Sequence, residues 1–298
     1  MFQRLVPVSR EQHGSTKVRP IAGFSFARSF HLASLAMQEF VRASAFYPIV
    51  FLDDRERDMF RPVALLGLES GENLCIEPEG AWLRGAYIPG IIRRYPFALA
   101  NTEQTGEFAV CVDEAAGLLD ANEGMPLFDP SGAPTETLEN IKRFLGELQQ
   151  MDTLTAQFST FLARHNLLRP LNLRVRVAGA ARDIAGSYVI NEERLEALND
   201  SVFLEMRGLR YLQPVYAHLS SLPQIDRLIQ LKESALQNAS GTAVAADASA
   251  VKVATTPAAG EPAAATVGSA PAAPASVASA PAEAPKPRAR RSRSSPKS

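Results

Sequence analysis

The chain is poor in cysteine and tryptophan: only Cys75, Cys111 and Trp82 are present. Two thiols outside any C-x-x-C pair exclude a disulfide framework, and they lack the further ligands that a structural zinc site would need. Both are expected to be buried. No run approaches the ~18–20 apolar residues of a membrane-crossing helix. The opening "MFQRLVPVSREQHG" lacks the apolar core of a secretory signal, so a cytoplasmic protein is the expectation. Catalytic signatures are missing as well: there is no G-x-S-x-G, no Walker loop and no G-x-G-x-x-G. The four histidines, His13, His31, His165 and His218, show no metal-ligand spacing. His218, in "PVYAHLSSL", is expected at a helix surface or hydrogen-bonded in the core. No cofactor and no metal are expected.

Net charge is also low, but the average hides a split. Residues 1–238 carry 24 Lys+Arg against 29 Asp+Glu, and residues 239–298 carry 7 against 3, which together give the overall −1. The folded part therefore offers no broad basic footprint for nucleic acid. Ala, Pro and Ser make up 38 of the last 60 residues. Such a composition has no large side chains to offset the entropy of ordering, and its prolines interrupt helix, so a disordered tether is expected. Its end, "KPRARRSRSSPKS", could meet nucleic acid or an anionic surface through Arg288, Arg290, Arg291 and Arg293, or could simply keep the terminus solvated.

What is present reads as α+β: a β-rich half over residues 1–134 with one early helix, and a helix-rich half over 135–238. "SFHLASLAMQEFVRASAF" (Ser29–Phe46) spaces Leu32, Leu35, Ala36, Phe40 and Ala43 as one helical face. "YPIVFLDD" (Tyr47–Asp54) predicts a strand. "RPVALLGLESGENLCIEP" predicts a hairpin turning at its Glu-Ser-Gly-Glu-Asn break, and "EFAVCVD" a further strand. Beyond Thr135, a plausible N-cap, Leu138, Ile141, Leu145 and Leu148 begin a helix that continues to about His165. "NLRVRVAG" and "GSYVI" predict paired strands. Asn191 caps the next helix, and two more are expected over about Leu209–Leu219 and Pro223–Leu236.

One stretch asks for a chemical explanation. In "YIPGIIRRYPFALA" (Tyr87–Ala100) two arginines interrupt an apolar run. Pro89 can open a short helical turn, Ile91 and Ile92 can face inward, and Pro96 ends the turn. Arg93 and Arg94 then fall at its carboxyl end, where unpaired carbonyls favour cations. One arginine can cap the turn or pair with an acid such as Glu39, while the other is solvated or faces a cleft. The alternative is a guanidinium clamp for a carboxylate or phosphate, with Glu39 and the loop residue Asn73 as partners. Trp82 and Tyr87 could stack on a ligand, and Tyr47 stands beside them as a candidate, although isolated aromatics usually pack. Asp53 and Asp54 could hold Mg²⁺ or form an ordinary polar turn.

Several of these stretches resemble the bacterial SapC family. They are "QEF" ahead of "YPIVF", "PVALLGLESGENL", Trp82, "YIPGIIRRYPF", "LF" at Leu127–Phe128 and "YAHLSSL", ordered over roughly residues 10–230. The resemblance implies a protein linked by name to the bacterial surface layer, with no catalytic residues to carry over. A transport permease bearing the same short name is excluded by the missing membrane span. The tail is not part of the family pattern. The expectation is thus a non-catalytic accessory or binding protein with an unidentified protein or small-molecule partner. The alternatives are an enzyme with an Arg/Glu site for an acidic substrate, and a nucleic-acid-associated protein acting through its tail.

Overall fold

Short strands dominate the first part of the computed structural model, which describes residues 2–101 and 108–251, with backbone alone at 101, 173–175, 180–185 and 239–251. In chain order come β1 (Leu5–Pro7), the single turn α1 (Arg10–His13), β2 (Lys17–Val18) and β3 (Leu32–Ser34). A 3-10 turn, Met37–Glu39, runs into α2 (Phe40–Ala43), which is followed by β4 (Ile49–Asp54) and β5 (Met59–Leu65). After α3 (Gly90–Arg93) come β6 (Phe97–Asn101), β7 (Phe108–Asp113), β8 (Leu119–Asp120) and β9 (Met125–Pro126). The second part holds α4 (Glu136–Arg164), β10 (Leu168–Val177), β11 (Ala180–Ile190), α5 (Glu192–Glu196), α6 (Asp200–Gly208), α7 (Leu212–Ser221) and α8 (Gln224–Val251). The protein is α+β.

Three antiparallel sheets result, ordered β1-β7-β6, β10-β11-β4-β5-β3 and β8-β2-β9. Several sequence expectations hold. Thr135 caps α4 by accepting from the Leu138 amide, and Asn191 caps α5 by accepting from that of Arg194. β10 and β11 pair along their length around Ala178 and Gly179, whose φ values of 48° and 84° suit the tight turn of a two-residue hairpin.

Other expectations need correction. The early helix is confined to Met37–Ala43, because Leu32, Ala33 and Ser34 pair with Leu65, Ala64 and Val63 as an edge strand. Sheet pairing overrides a helical spacing that short apolar segments satisfy equally well. The hairpin lies earlier than expected: β5 turns back on β4, not on the segment after residue 70. The Glu-Ser-Gly-Glu-Asn break is instead a closed loop in which the Glu72 carboxylate accepts from the amides of Leu68 and Glu69, at 2.9 and 3.0 Å. α6 was not expected at all. Helix α8 continues past residue 238 to Val251, since no proline interrupts the chain before Pro257.

The 29-residue α4 organises the interior. Leu138 and Leu145 pack with Phe97, Val112 and Leu127 over the β1-β7-β6 sheet. Phe158, Phe161 and Leu162 enter the main core with Phe40, Phe51 and Tyr211. Phe158 meets Phe40 and Tyr211 edge-on, with ring centroids 6.1 and 5.0 Å apart. One helix thus serves two sheets, and between them it passes α3. Residues Met1–Ala250 form one compact unit.

Candidate functional site

The α3 turn forms as its sequence dictates. Pro89 (φ −55°) is its N-cap, Ile92 is buried, and the amides of Arg93 and Arg94 close onto the carbonyls of Pro89 and Gly90 at 3.1 and 3.0 Å. Gly90 is required by close approach. A Cβ there would lie 2.7 Å from Leu148 and 3.2 Å from Glu39, whose carboxylate instead accepts the Gly90 amide at 2.7 Å. The turn exits through a cis Tyr95–Pro96 peptide into β6.

Glu39 is 6% exposed, and the fold satisfies it completely. Its Oε1 accepts from Tyr87 Oη at 2.6 Å as well as from Gly90, and its Oε2 accepts from the Ala36 amide at 2.9 Å. The Tyr87 carbonyl accepts from the Tyr47 hydroxyl at 2.5 Å, and that hydroxyl accepts from Trp82 Nε1 at 2.9 Å. Tyr47, Trp82, Tyr87 and Glu39, all sequence candidates, therefore form one buried chain of hydrogen bonds. Burial pushes both phenols up, Tyr87 to about 12 with help from its bond to Glu39. Asn73 stands apart, donating to the Ala27 carbonyl and accepting from the Cys75 amide. The Cys75 thiol, pushed up to about 12 by burial, is unreactive.

The two arginines part company. Arg93 donates through Nε to the Ile88 carbonyl at 3.0 Å and through Nη2 to Tyr87 Oη at 3.3 Å. Its guanidinium lies 5.2 Å from the Phe144 ring centroid, and Arg42 covers Tyr87 at 4.6 Å. Arg93 thus reaches Glu39 only through Tyr87. Arg94 is half-buried, and its Nε is enclosed with no hydrogen-bond partner among the described residues. Burial lowers its pKa from the usual arginine value, and Asp152 opposes the shift.

Arg94 faces a cavity of about 490 Å³, walled by β5, α3 and the middle of α4. Asp152, Thr155 and Ser159 of α4 line it, together with Glu39, Arg57 and Arg61. Arg57 and Arg61 share the Asp54 carboxylate at 3.3 and 2.8 Å, which offsets one of their two charges and occupies one of the two aspartates considered for Mg²⁺. Arg55 lies 3.5 Å from the other, Asp53. Among the described residues no group of three or more His, Cys, Asp or Glu side chains could hold a metal. Thr155 is engaged, accepting from the Met37 amide and donating to the Met151 carbonyl. Ser159 is fully buried, and its hydroxyl has no partner among the described residues. Sequence reading missed Arg57, Arg61, Asp152 and Ser159. The available signal was the polar series Asp152, Thr155 and Ser159, spaced to share a helical face that continues the Leu145–Leu148 stripe. Tail residues Arg288, Arg290, Arg291 and Arg293 lie outside the described residues.

Fold and cleft define an α+β protein with an arginine-bearing internal cavity. The chain belongs to the SapC family, whose model matches residues 8–228. No curated protein and no solved structure matches it. Among the described residues no helix is long and apolar enough to cross a membrane.

Proposed function

We propose that this protein is a cytoplasmic, non-catalytic binding protein whose α4 cleft receives a small anionic ligand. One observation carries the reading: Arg94 and Ser159 line the same cavity, and each carries an enclosed polar atom, Nε and Oγ, with no hydrogen-bond partner among the described residues. Buried polar groups are nearly always hydrogen-bonded, so two such orphans on residues that line one space support a ligand that supplies acceptors once the side chains turn toward it. A carboxylate or phosphate does so, and would also neutralise Arg94. Binding is favoured over turnover because both Glu39 oxygens are already engaged by the protein, and the enzymatic alternative drew its carboxylate from there. The family name motivates placing the bound molecule in the service of surface-layer biogenesis.

Calorimetric titration of the full chain with inorganic phosphate and with citrate tests the reading. Arg94→Met is expected to abolish binding, Ser159→Ala to weaken it, and Arg93→Met to leave it within about threefold. Binding indifferent to Arg94, or no binding of either anion, refutes the proposal.

A further inference from the structure

The cleft has a neighbour that shares part of its lining. Leu99 and Gln149 line it and also line a second cavity of about 680 Å³, between β7 and the first half of α4. The walls differ in kind. The first cavity holds Arg94 and Ser159, whereas the second is floored by Val8, Leu99, Phe108, Val110, Phe128 and Leu138, with Arg10, Lys142 and Gln150 also in its lining. Lys142, at the second cavity's edge, is paired with Glu139 at 2.7 Å. Phe108 remains 53% exposed there.

Gly146 adds an independent sign. It sits inside α4 and lines the apolar cavity, and a Cβ built on it would meet nothing within 4 Å. Glycine weakens a helix interior relative to alanine, and here neither clash nor backbone conformation demands it. Its consequence is open space. Any larger side chain at that position would stand in the groove.

We infer that the two cavities form one site for a single-chain anionic amphiphile. Its carboxylate or phosphate head sits against Arg94 and Ser159, and its hydrocarbon chain crosses Leu99 into the groove beside Gly146. This rests on the cleft reading above and specifies the ligand's class: charge at one end, apolar length at the other, matching the two walls. Aromatic and aliphatic flooring gives the chain about fourfold in affinity for each methylene fully buried.

The test titrates the full chain with inorganic phosphate, butyl phosphate and octyl phosphate, and with octanoate to separate phosphate from carboxylate heads. Octyl phosphate is expected to bind at least tenfold more tightly than butyl phosphate. Gly146→Leu is expected to flatten that series while leaving inorganic phosphate binding intact and the melting temperature unchanged or raised. Phe108→Asp, on an exposed position, provides a second variant with the same expected flattening. Phosphate binding that depends on Arg94 but gains nothing from the chain overturns the amphiphile inference and leaves the cleft reading standing. Octyl phosphate binding that ignores Arg94 overturns both. An octanoate affinity equal to that of octyl phosphate assigns recognition to charge and chain in common, while a difference of tenfold or more selects the head.

Discussion

Arg93 and Arg94 are neighbours in the chain, yet they live in opposite kinds of surroundings. Around Arg93 every polar group is answered: Glu39, Tyr87, Tyr47 and Trp82 exchange hydrogen bonds with each other and with backbone. Around Arg94, groups that burial has stripped of water, Arg94 Nε and Ser159 Oγ, have no hydrogen-bond partner among the described residues. Burial alone does not explain the difference, since Glu39 on one side and Ser159 on the other are both buried. Satisfaction does. A completed network costs little and fixes a backbone, whereas an incomplete one is tolerated where something else completes it.

The largest expected effect breaks the satisfied side. Glu39→Ala leaves the Tyr87 hydroxyl and the amides of Gly90 and Ala36 without their acceptor. A loss of about 3–5 kcal/mol is expected, read as a shift in urea midpoint at constant slope. A loss below about 1 kcal/mol would show that the turn stands without its carboxylate.

Next comes a pH effect from the main core. His218 is fully buried on α7, accepts from the Ile190 amide through Nε2 at 3.0 Å, and has no partner for Nδ1 among the described residues. Burial pushes it down to about 3. The unfolded chain takes up this proton below about pH 6.5, while the folded chain does so only near pH 3. Its contribution is therefore complete above pH 6.5 and is lost as pH falls toward 3. Between pH 7 and pH 5 about 2 kcal/mol should disappear. His218→Gln, which keeps an acceptor, should remove that dependence, and an unchanged slope in urea midpoints between pH 5 and 7 would refute the assignment.

Tyr47→Phe should cost less, about 1–2 kcal/mol, by leaving the Trp82 N–H and the Tyr87 carbonyl unpaired. Thermal unfolding of the variant is the check. No change would mean that water replaces the hydroxyl.

How much of this was legible beforehand follows from the range of the forces involved. The α3 turn was readable because Pro89, the Ile pair and Pro96 act locally, and so were the caps at Thr135 and Asn191. That one arginine caps the turn while its neighbour is solvated or faces a cleft was among the readings the sequence left open. The link from Arg93 to Glu39 through Tyr87 was not, because it joins residues 48 positions apart. β3 was misread because its partner lies some thirty residues further on, and its apolar residues fit either period. Ser159 was invisible for another reason. A serine on a long helix announces nothing until its surroundings are built and its hydroxyl finds no partner among the described residues.

The smallest expected effect is the sharpest test of the comparison. Arg93 is exposed and Arg94 half-buried, so ordinary burial reasoning ranks Arg94→Met as the more damaging change. The hydrogen bonds rank them the other way. Arg93→Met forfeits contacts to the Ile88 carbonyl and Tyr87 Oη, a loss of about 1–2 kcal/mol. Arg94→Met removes a desolvated cation without an ion pair among the described residues, keeps an apolar stem of similar length, and gives up a cation–π contact 5.4 Å from Phe2 and the longer-range attraction of Asp152. Its cost in the ligand-free protein should be below about 0.5 kcal/mol, with a slight gain allowed by the relieved desolvation. Measured in phosphate-free buffer, an Arg94→Met midpoint lower than that of Arg93→Met would mean that Arg94 is held by the scaffold after all, and the contrast between the two neighbours would collapse.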